Sequence, residues 1–136
     1  MACAQYHIHT GLEHVNSHNK DHYNIDNLKA RGLVNAFVLA LGQAKLRFGP
    51  DVKGELPSPV TVNFVTTDGA RFHFGVFQLN TLDLDNPEGA KNIYWCDQKA
   101  DRLYDTCQYV SAIPTLEGYN ADVFKKFAAL YLENSD

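Results

Sequence analysis

The residues of this sequence whose types could support covalent chemistry are three cysteines and one central histidine. A cysteine nucleophile needs a base close to its thiol, and His73 could serve Cys96 or Cys107 in that way. The spacing of the cysteines, which include Cys3, matches no metal-binding motif, and an odd count does not favour a disulfide framework. Single cysteines among aromatic strand residues usually serve as small core residues. The pattern therefore favours reduced structural thiols over a cysteine-dependent active site.

A second group of chemically capable residues lies at the start of the chain, where most of the histidines occur. On a helix, His14, His18 and His22 would share one face and could hold zinc or nickel. No cysteine or carboxylate pattern accompanies them, and the surrounding residues are polar. We therefore predict that residues 1–24 form a flexible, histidine-rich tail without a native metal site.

Composition excludes several function classes. The chain has 136 residues, is 45% hydrophobic and carries a formal net charge of −4, as expected for one globular domain. Wrapping of nucleic acid needs a clustered basic surface, which this charge does not indicate, although a local RNA contact stays open. No apolar run has the length of a membrane helix, and no import signal is visible.

Motifs for catalysis are also missing from the sequence. It contains no glycine-rich phosphate loop, no nucleophile elbow and no paired-cysteine zinc motif. The sequence therefore indicates no catalytic residue, no cofactor, no metal and no small-molecule substrate.

The elements that would position these residues centre on a β-hairpin predicted between Pro59 and Leu84. Two runs of β-branched and aromatic residues flank Thr67-Asp68-Gly69 there. A two-residue turn at Asp68-Gly69 would put large apolar groups on both faces of the hairpin. A three-residue loop with a glycine bulge at Gly69 collects them on one face, so we expect that register.

This register makes a specific prediction for each face of the hairpin. The expected pairs are Phe64 with Phe72, Val62 with Phe74, and Val60 with Val76. The opposite, polar face would carry Thr61, Asn63, Arg71, His73 and Gly75.

Two amphipathic segments predict helices. The first runs from Ile25 to Phe48 and ends at Gly49-Pro50. Two internal glycines, Gly32 and Gly42, suggest close packing against another element. Its apolar stripe is Leu33, Val34, Phe37, Val38, Leu41, Ala44 and Phe48. The second helix, capped by Asn120, spans Ala121 to Glu133.

The segments between the hairpin and the last helix are less regular. Lys91 to Asp97 predicts a third strand, and Gln98 to Tyr109 fits either a helix or a short strand. The order helix, strands, helix predicts a single α+β domain over residues 25–136. We expect an antiparallel sheet built on the hairpin and covered by the long N-terminal helix and the C-terminal helix.

Four stretches of the sequence resemble a known family. They are TTDGARFHFGVFQLNTLDLD (Thr66 to Asp85), GAKNIYW (Gly89 to Trp95), LYD (Leu103 to Asp105) and FKKFAALYL (Phe124 to Leu132). They look like the C-terminal part of a mitochondrial ribosomal protein family, which comprises large-subunit protein thirty-seven and its paralogue, historically called small-subunit protein thirty. The resemblance leans toward the large-subunit member. Its most specific pieces are the Asp68-Gly69 turn with the aromatic strand and QLNT that follow it, together with the downstream KN-hydrophobe-x-W pattern.

This resemblance implies a structural constituent of the large mitochondrial ribosomal subunit, without catalytic activity of its own. It implies a mitochondrial location and contacts with other mitochondrial ribosomal proteins, including the paralogous member. A stand-alone protein-binding module with the same fold is the alternative. Aromatic side chains could anchor the interface, although we expect Trp95 and Tyr131 to lie in the core. The candidate anchors are Trp95, Tyr94, Tyr104, Tyr109, Tyr119 and Tyr131.

Overall fold

The computed structural model describes residues 25–132. The predicted tail over residues 1–24, with the candidate metal ligands His14, His18 and His22, lies outside the described residues. The elements are α1 (Ile25–Phe48), β1 (Glu55–Thr67), β2 (Arg71–Thr81), β3 (Ile93–Cys96), β4 (Asp101–Arg102), β5 (Thr106–Val110), β6 (Ile113–Glu117) and α2 (Ala121–Leu132). The predicted α+β class is confirmed, and α1 has the predicted bounds. The ambiguous segment before Tyr109 forms strands and not a helix.

Within the described residues, the strands form two antiparallel sheets. In the larger sheet, β2 pairs with β1 along one edge and with β3 and β4 along the other. The smaller sheet contains β5 and β6 only. Helix α1 packs on one face of the β1–β2 hairpin, and α2 packs on the opposite face. The hairpin is therefore the central layer of the domain.

The predicted hairpin register is wrong by three residues. Phe64 pairs with Gly75, not with Phe72, and Thr67 pairs with Phe72. The observed two-residue turn is Gly69-Ala70, one residue later than a turn at Asp68-Gly69. Gly69, its first central residue, has a φ of 95°. The Asp68 carboxylate stabilises it by accepting hydrogen bonds from the backbone N–H groups of Ala70 (3.0 Å) and Arg71 (2.7 Å).

Because the observed pairing differs from the predicted one by an odd number of residues, the side chains of one strand lie on the opposite face from the one predicted. Phe64 contacts the α1 side, whereas Phe72 and Phe74 contact the α2 side. The expectation of one apolar and one polar face was wrong because each face has its own helix to bury it. His73 and Gly75, predicted on the polar face, lie on the α1 side and are buried.

Helix α1 approaches the sheet through small residues. The buried line is Gly32, Ala36, Ala40 and Ala44, spaced one helical turn apart. The predicted stripe members Val34 and Val38 are exposed instead.

Close packing beneath α1 centres on one aromatic ring. A Cβ added to Gly32 would lie 2.8 Å from Cε2 of Phe64, and one added to Gly75 would lie 2.1 Å from its Cζ. The same ring stacks on Tyr94, with the ring centroids 5.7 Å apart. The expectation of close packing is confirmed at Gly32, but Gly42 is exposed with open space around it.

Helix α2 covers the opposite face with fewer buried side chains. Its N-terminus is capped as predicted, since the Asn120 carboxamide oxygen accepts a hydrogen bond from the Asp122 N–H (3.1 Å). Val123 is buried against Val65 and Phe74. Partly buried side chains surround this cluster: Phe72, Leu103, Phe127 and Leu130.

Candidate functional site

The predicted base, His73, lies inside the core and not on an exposed strand face. Its side chain is 4% exposed, and its Nδ1 atom has no hydrogen-bond partner among the described residues. Burial lowers the pKa of the imidazole, and the positive charge of Lys29 lowers it further, while a backbone hydrogen bond to Asp97 acts in the opposite direction. The neutral imidazole is therefore the favoured form in the folded chain.

Of the two candidate nucleophiles, Cys96 shares a sheet face with His73 because it pairs with Gly75. It is half-buried, and burial raises the pKa of its thiol. A thiol with a raised pKa stays protonated at neutral pH and is a weak nucleophile. Cys107 lies on β5, in the other sheet, where it is exposed. The structure therefore keeps the Cys96 thiol protonated and places Cys107 on a different sheet from His73.

The aromatic candidates fall into two groups. Tyr94 serves the core, since its ring stacks on Phe64 and its hydroxyl donates to the Lys29 carbonyl (3.0 Å). Trp95 and Tyr131 are 55% and 57% exposed, so the expectation that they are core residues was wrong. Two further tyrosines, Tyr109 and Tyr119, are also exposed. Most of the candidate anchors therefore lie where a partner could contact them.

Trp95 borders a groove between the sheet and α2. The groove has a volume of about 220 Å³, and its walls are mainly apolar. Lys126 lies at its rim with its ammonium 4.3 Å from the centre of the Phe74 ring. The lining residues are Phe74, Gly75, Val76, Trp95, Lys126, Ala129 and Leu130.

Lys126 also joins α2 to the sheet edge through two ion pairs. Its Nζ lies 3.0 Å from Asp97 and 2.9 Å from Asp101. Partial burial lowers the pKa of this lysine, but the hydrogen bonds to the two carboxylates outweigh burial, so the net pKa is raised. The lysine is thus charged and occupied by the fold itself, which leaves the groove without a free cation from this residue.

The β5–β6 hairpin is the part of the surface that sequence reasoning missed. Its turn, Ser111-Ala112, contains none of the residues that mark two-residue turns, yet both residues have positive φ (51° and 63°). The alternation of apolar and polar residues on either side of that turn was the available signal. Every residue from Thr106 to Glu117 is exposed.

The described residues offer neither a metal centre nor a membrane-spanning helix. Between residues 25 and 132, no group of three or more histidine, cysteine or acidic side chains is arranged to hold an ion. In the same range, no helix combines the length and the hydropathy that a bilayer requires.

Two of the motifs that carry the family resemblance, QLNT and KN, are hydrogen-bonded to each other. The Asn92 side-chain oxygen accepts hydrogen bonds from the backbone N–H groups of Asn80 (2.7 Å) and Thr81 (2.9 Å), and its amide donates to the Thr81 carbonyl (3.0 Å). The Asn80 amide in turn donates to the Lys91 carbonyl (2.7 Å). The QLNT and KN segments thus form one structural unit, which fixes how β3 joins β2.

Comparison with known proteins gives the same result as these motifs. A family model described as Mitochondrial 28S ribosomal protein S30 (PDCD9) matches residues 5–135. The chain belongs to this family. It is 40% identical over 95% of its length to Large ribosomal subunit protein mL37 of Gallus gallus, and 40% identical over 81% to the protein of the same name of Bos taurus. The recognition made from the sequence is confirmed, including its lean toward the large-subunit member.

The chain corresponds to only part of these relatives. It spans 32% of the length of the Gallus gallus protein and 27% of the Bos taurus protein.

Proposed function

We propose that this chain is a structural constituent of the large subunit of the mitochondrial ribosome and supports mitochondrial translation. The observation that carries the proposal is the 40% identity to mL37 of Gallus gallus across 95% of the chain. The QLNT and KN motifs of the family join β2 to the start of β3, as the hydrogen bond between Asn80 and Asn92 illustrates. The proposal includes a mitochondrial location and a single domain over residues 25–136.

We propose that the chain acts through protein–protein contacts, with other mitochondrial ribosomal proteins and the paralogous family member as partners, and without a chemical step. The exposed aromatic residues Trp95, Tyr109 and Tyr119 support this role, because exposed aromatic side chains are the usual anchors of protein interfaces. The raised pKa of the Cys96 thiol argues against a cysteine-dependent enzyme. The net charge of −4 suits a domain that docks on protein more than on RNA.

A stand-alone protein-binding module is the second candidate, since the same exposed aromatic residues would serve it. Sucrose-gradient sedimentation of a mitochondrial extract, with the tagged chain detected across the fractions, distinguishes the two. We expect the chain in the large-subunit fractions, at low magnesium as well, where the subunits separate. A chain that stays at the top of the gradient would contradict the ribosomal role, and a chain in the small-subunit fractions would contradict the large-subunit assignment.

A further inference from the structure

The β5–β6 hairpin exposes every residue from Thr106 to Glu117. An isolated two-stranded hairpin is marginally stable in water, and three or more strands or a covering element are usually needed. The turn adds little, because Ser111 and Ala112 both occupy the left-handed region that favours glycine and asparagine. The hairpin therefore has the features of an element whose burial comes from outside the described residues.

The two faces of this hairpin differ in chemistry. Cys107 pairs with Leu116, and Tyr109 pairs with Pro114, so these four apolar side chains share one face. On the other face, the Thr106 hydroxyl donates to the Glu117 carboxylate (2.9 Å), and Gln108 pairs with Thr115. Val110 and Ile113, next to the turn, form the apolar pair on that face. An amphipathic hairpin normally lays its apolar face on a hydrophobic surface, and none of the described residues covers this one.

The two edges of the hairpin differ as well. Val110 and Ile113 flank the two-residue turn and form a hydrogen-bonded pair. Along the strands from there, non-hydrogen-bonded and hydrogen-bonded pairs alternate, so Cys107–Leu116 and Tyr109–Pro114 are non-hydrogen-bonded pairs. Cys107 and Tyr109 therefore direct their N–H and C=O groups outward along the edge of β5. The equivalent position on the edge of β6 is Pro114, which has no N–H group. A further strand can therefore pair with the edge of β5, whereas Pro114 interrupts the row of donors on the edge of β6.

Charge selects the class of partner. Residues 106–117 contain no lysine or arginine, and Glu117 is their single charged residue. Contact with RNA phosphates relies on lysine and arginine, so this hairpin is a poor RNA ligand. We propose that the apolar face and the β5 edge bind an uncharged, extended segment of a neighbouring protein in the large subunit, which adds to β5 as a further strand. This inference rests on the proposed ribosomal role.

The exposed Cys107 thiol provides a direct readout, because it lies on the face that the partner would cover. The full chain, free and within purified large subunits, is treated with N-ethylmaleimide, and the modified peptide is quantified by mass spectrometry. We expect alkylation of Cys107 to be at least about tenfold slower within the subunit. Equal rates in the two samples would overturn the proposal.

A matched pair of proline variants tests the edge. Cys107→Pro removes an outward N–H group from β5, whereas Leu116→Pro removes the equivalent group from β6 at the same level of the hairpin. We expect the first variant to lower the occupancy of the large subunit by about tenfold and the second by less than about threefold. Equal occupancies would overturn the proposal. If Cys107→Pro prevents folding, the alkylation experiment on the unmodified chain still decides.

The other occupants of the hairpin are distinguishable outcomes. Ultraviolet crosslinking of residues 106–117 to ribosomal RNA would identify RNA as the occupant and overturn the proposal. A dimer of the free chain in which Cys107 is protected would identify a second copy as the occupant and also overturn it. A chain that is absent from the large subunit would overturn the ribosomal role and this inference together. A chain present there with a reactive Cys107 would overturn the inference alone.

Discussion

The two faces of the β1–β2 hairpin are built from alternate residues of the same strands, yet they are packed differently. On the α1 face, glycine and alanine let the helix come close, and Phe64 fills the space between Gly32 and Gly75. On the α2 face, the apolar cluster of the described residues has three buried members, and a partly exposed lysine bridges helix and sheet. A groove of about 220 Å³ stays open beside Trp95. The α1 face therefore supplies most of the stability, and the α2 face supplies accessible surface.

Truncation of one ring on each face tests this comparison most strongly. Phe64→Ala should destabilise the chain by about 3–5 kcal/mol. The substitution leaves a cavity between the backbones of α1 and β2, and these cannot move together to fill it. Phe127→Ala should cost about 1–2 kcal/mol, since this ring on the α2 side is only half-buried. Urea unfolding followed by the fluorescence of Trp95, the single tryptophan, measures both. Equal losses would show that the two faces contribute alike.

Adding one methyl group tests the closeness of packing on the α1 face. Gly75→Ala should destabilise by about 1–3 kcal/mol, because the new Cβ would overlap the Phe64 ring. Gly42→Ala is the matched control on the exposed side of α1, where it should stabilise by up to about 1 kcal/mol through helix propensity. Urea midpoints with an unchanged slope give both values. A neutral Gly75→Ala variant would contradict the tight interface.

The buried imidazole makes the α1 face sensitive to pH. The pKa of His73 is lower in the folded chain than in the unfolded chain, so the unfolded state binds the proton first as the pH falls. The contribution of this group to stability is complete above about pH 6.5, the unfolded pKa, and is lost as the pH falls below it. Stability curves of the wild type and of His73→Gln between pH 7.5 and 5 should converge at the acidic end. Parallel curves would show that His73 does not titrate on unfolding.

On the α2 face, ion pairs contribute the smallest effect. Lys126→Met should cost no more than about 1 kcal/mol, and less at high salt, because the pairs with Asp97 and Asp101 are partly exposed. Lys125→Met is the control on the same helix, and it should be close to neutral because the pair of Lys125 with Asp122 is well exposed. Thermal melts at two salt concentrations compare them. A larger loss for Lys125→Met would refute the assignment of Lys126 as the link between α2 and the sheet.

Some of this architecture could be predicted from local pattern alone. The period of α1, its stop at Gly49, the Asn120 cap and the hairpin itself all follow from interactions within a few residues. The family motifs were also readable, because QLNT and KN are short and specific. The β5–β6 hairpin was not recognised, since Ser111-Ala112 lacks the glycine or asparagine that normally marks such a turn.

The sequence by itself determined the α+β class, the bounds of the first helix and the family to which the chain belongs. Only the tertiary structure decided the register of β1 and β2 and the face on which each phenylalanine lies. When both faces of a hairpin are apolar, hydrophobic alternation fits more than one register. The choice then depends on the Asp68 hydrogen bonds in the turn and on two helices that cover opposite faces, and the helices are distant in sequence.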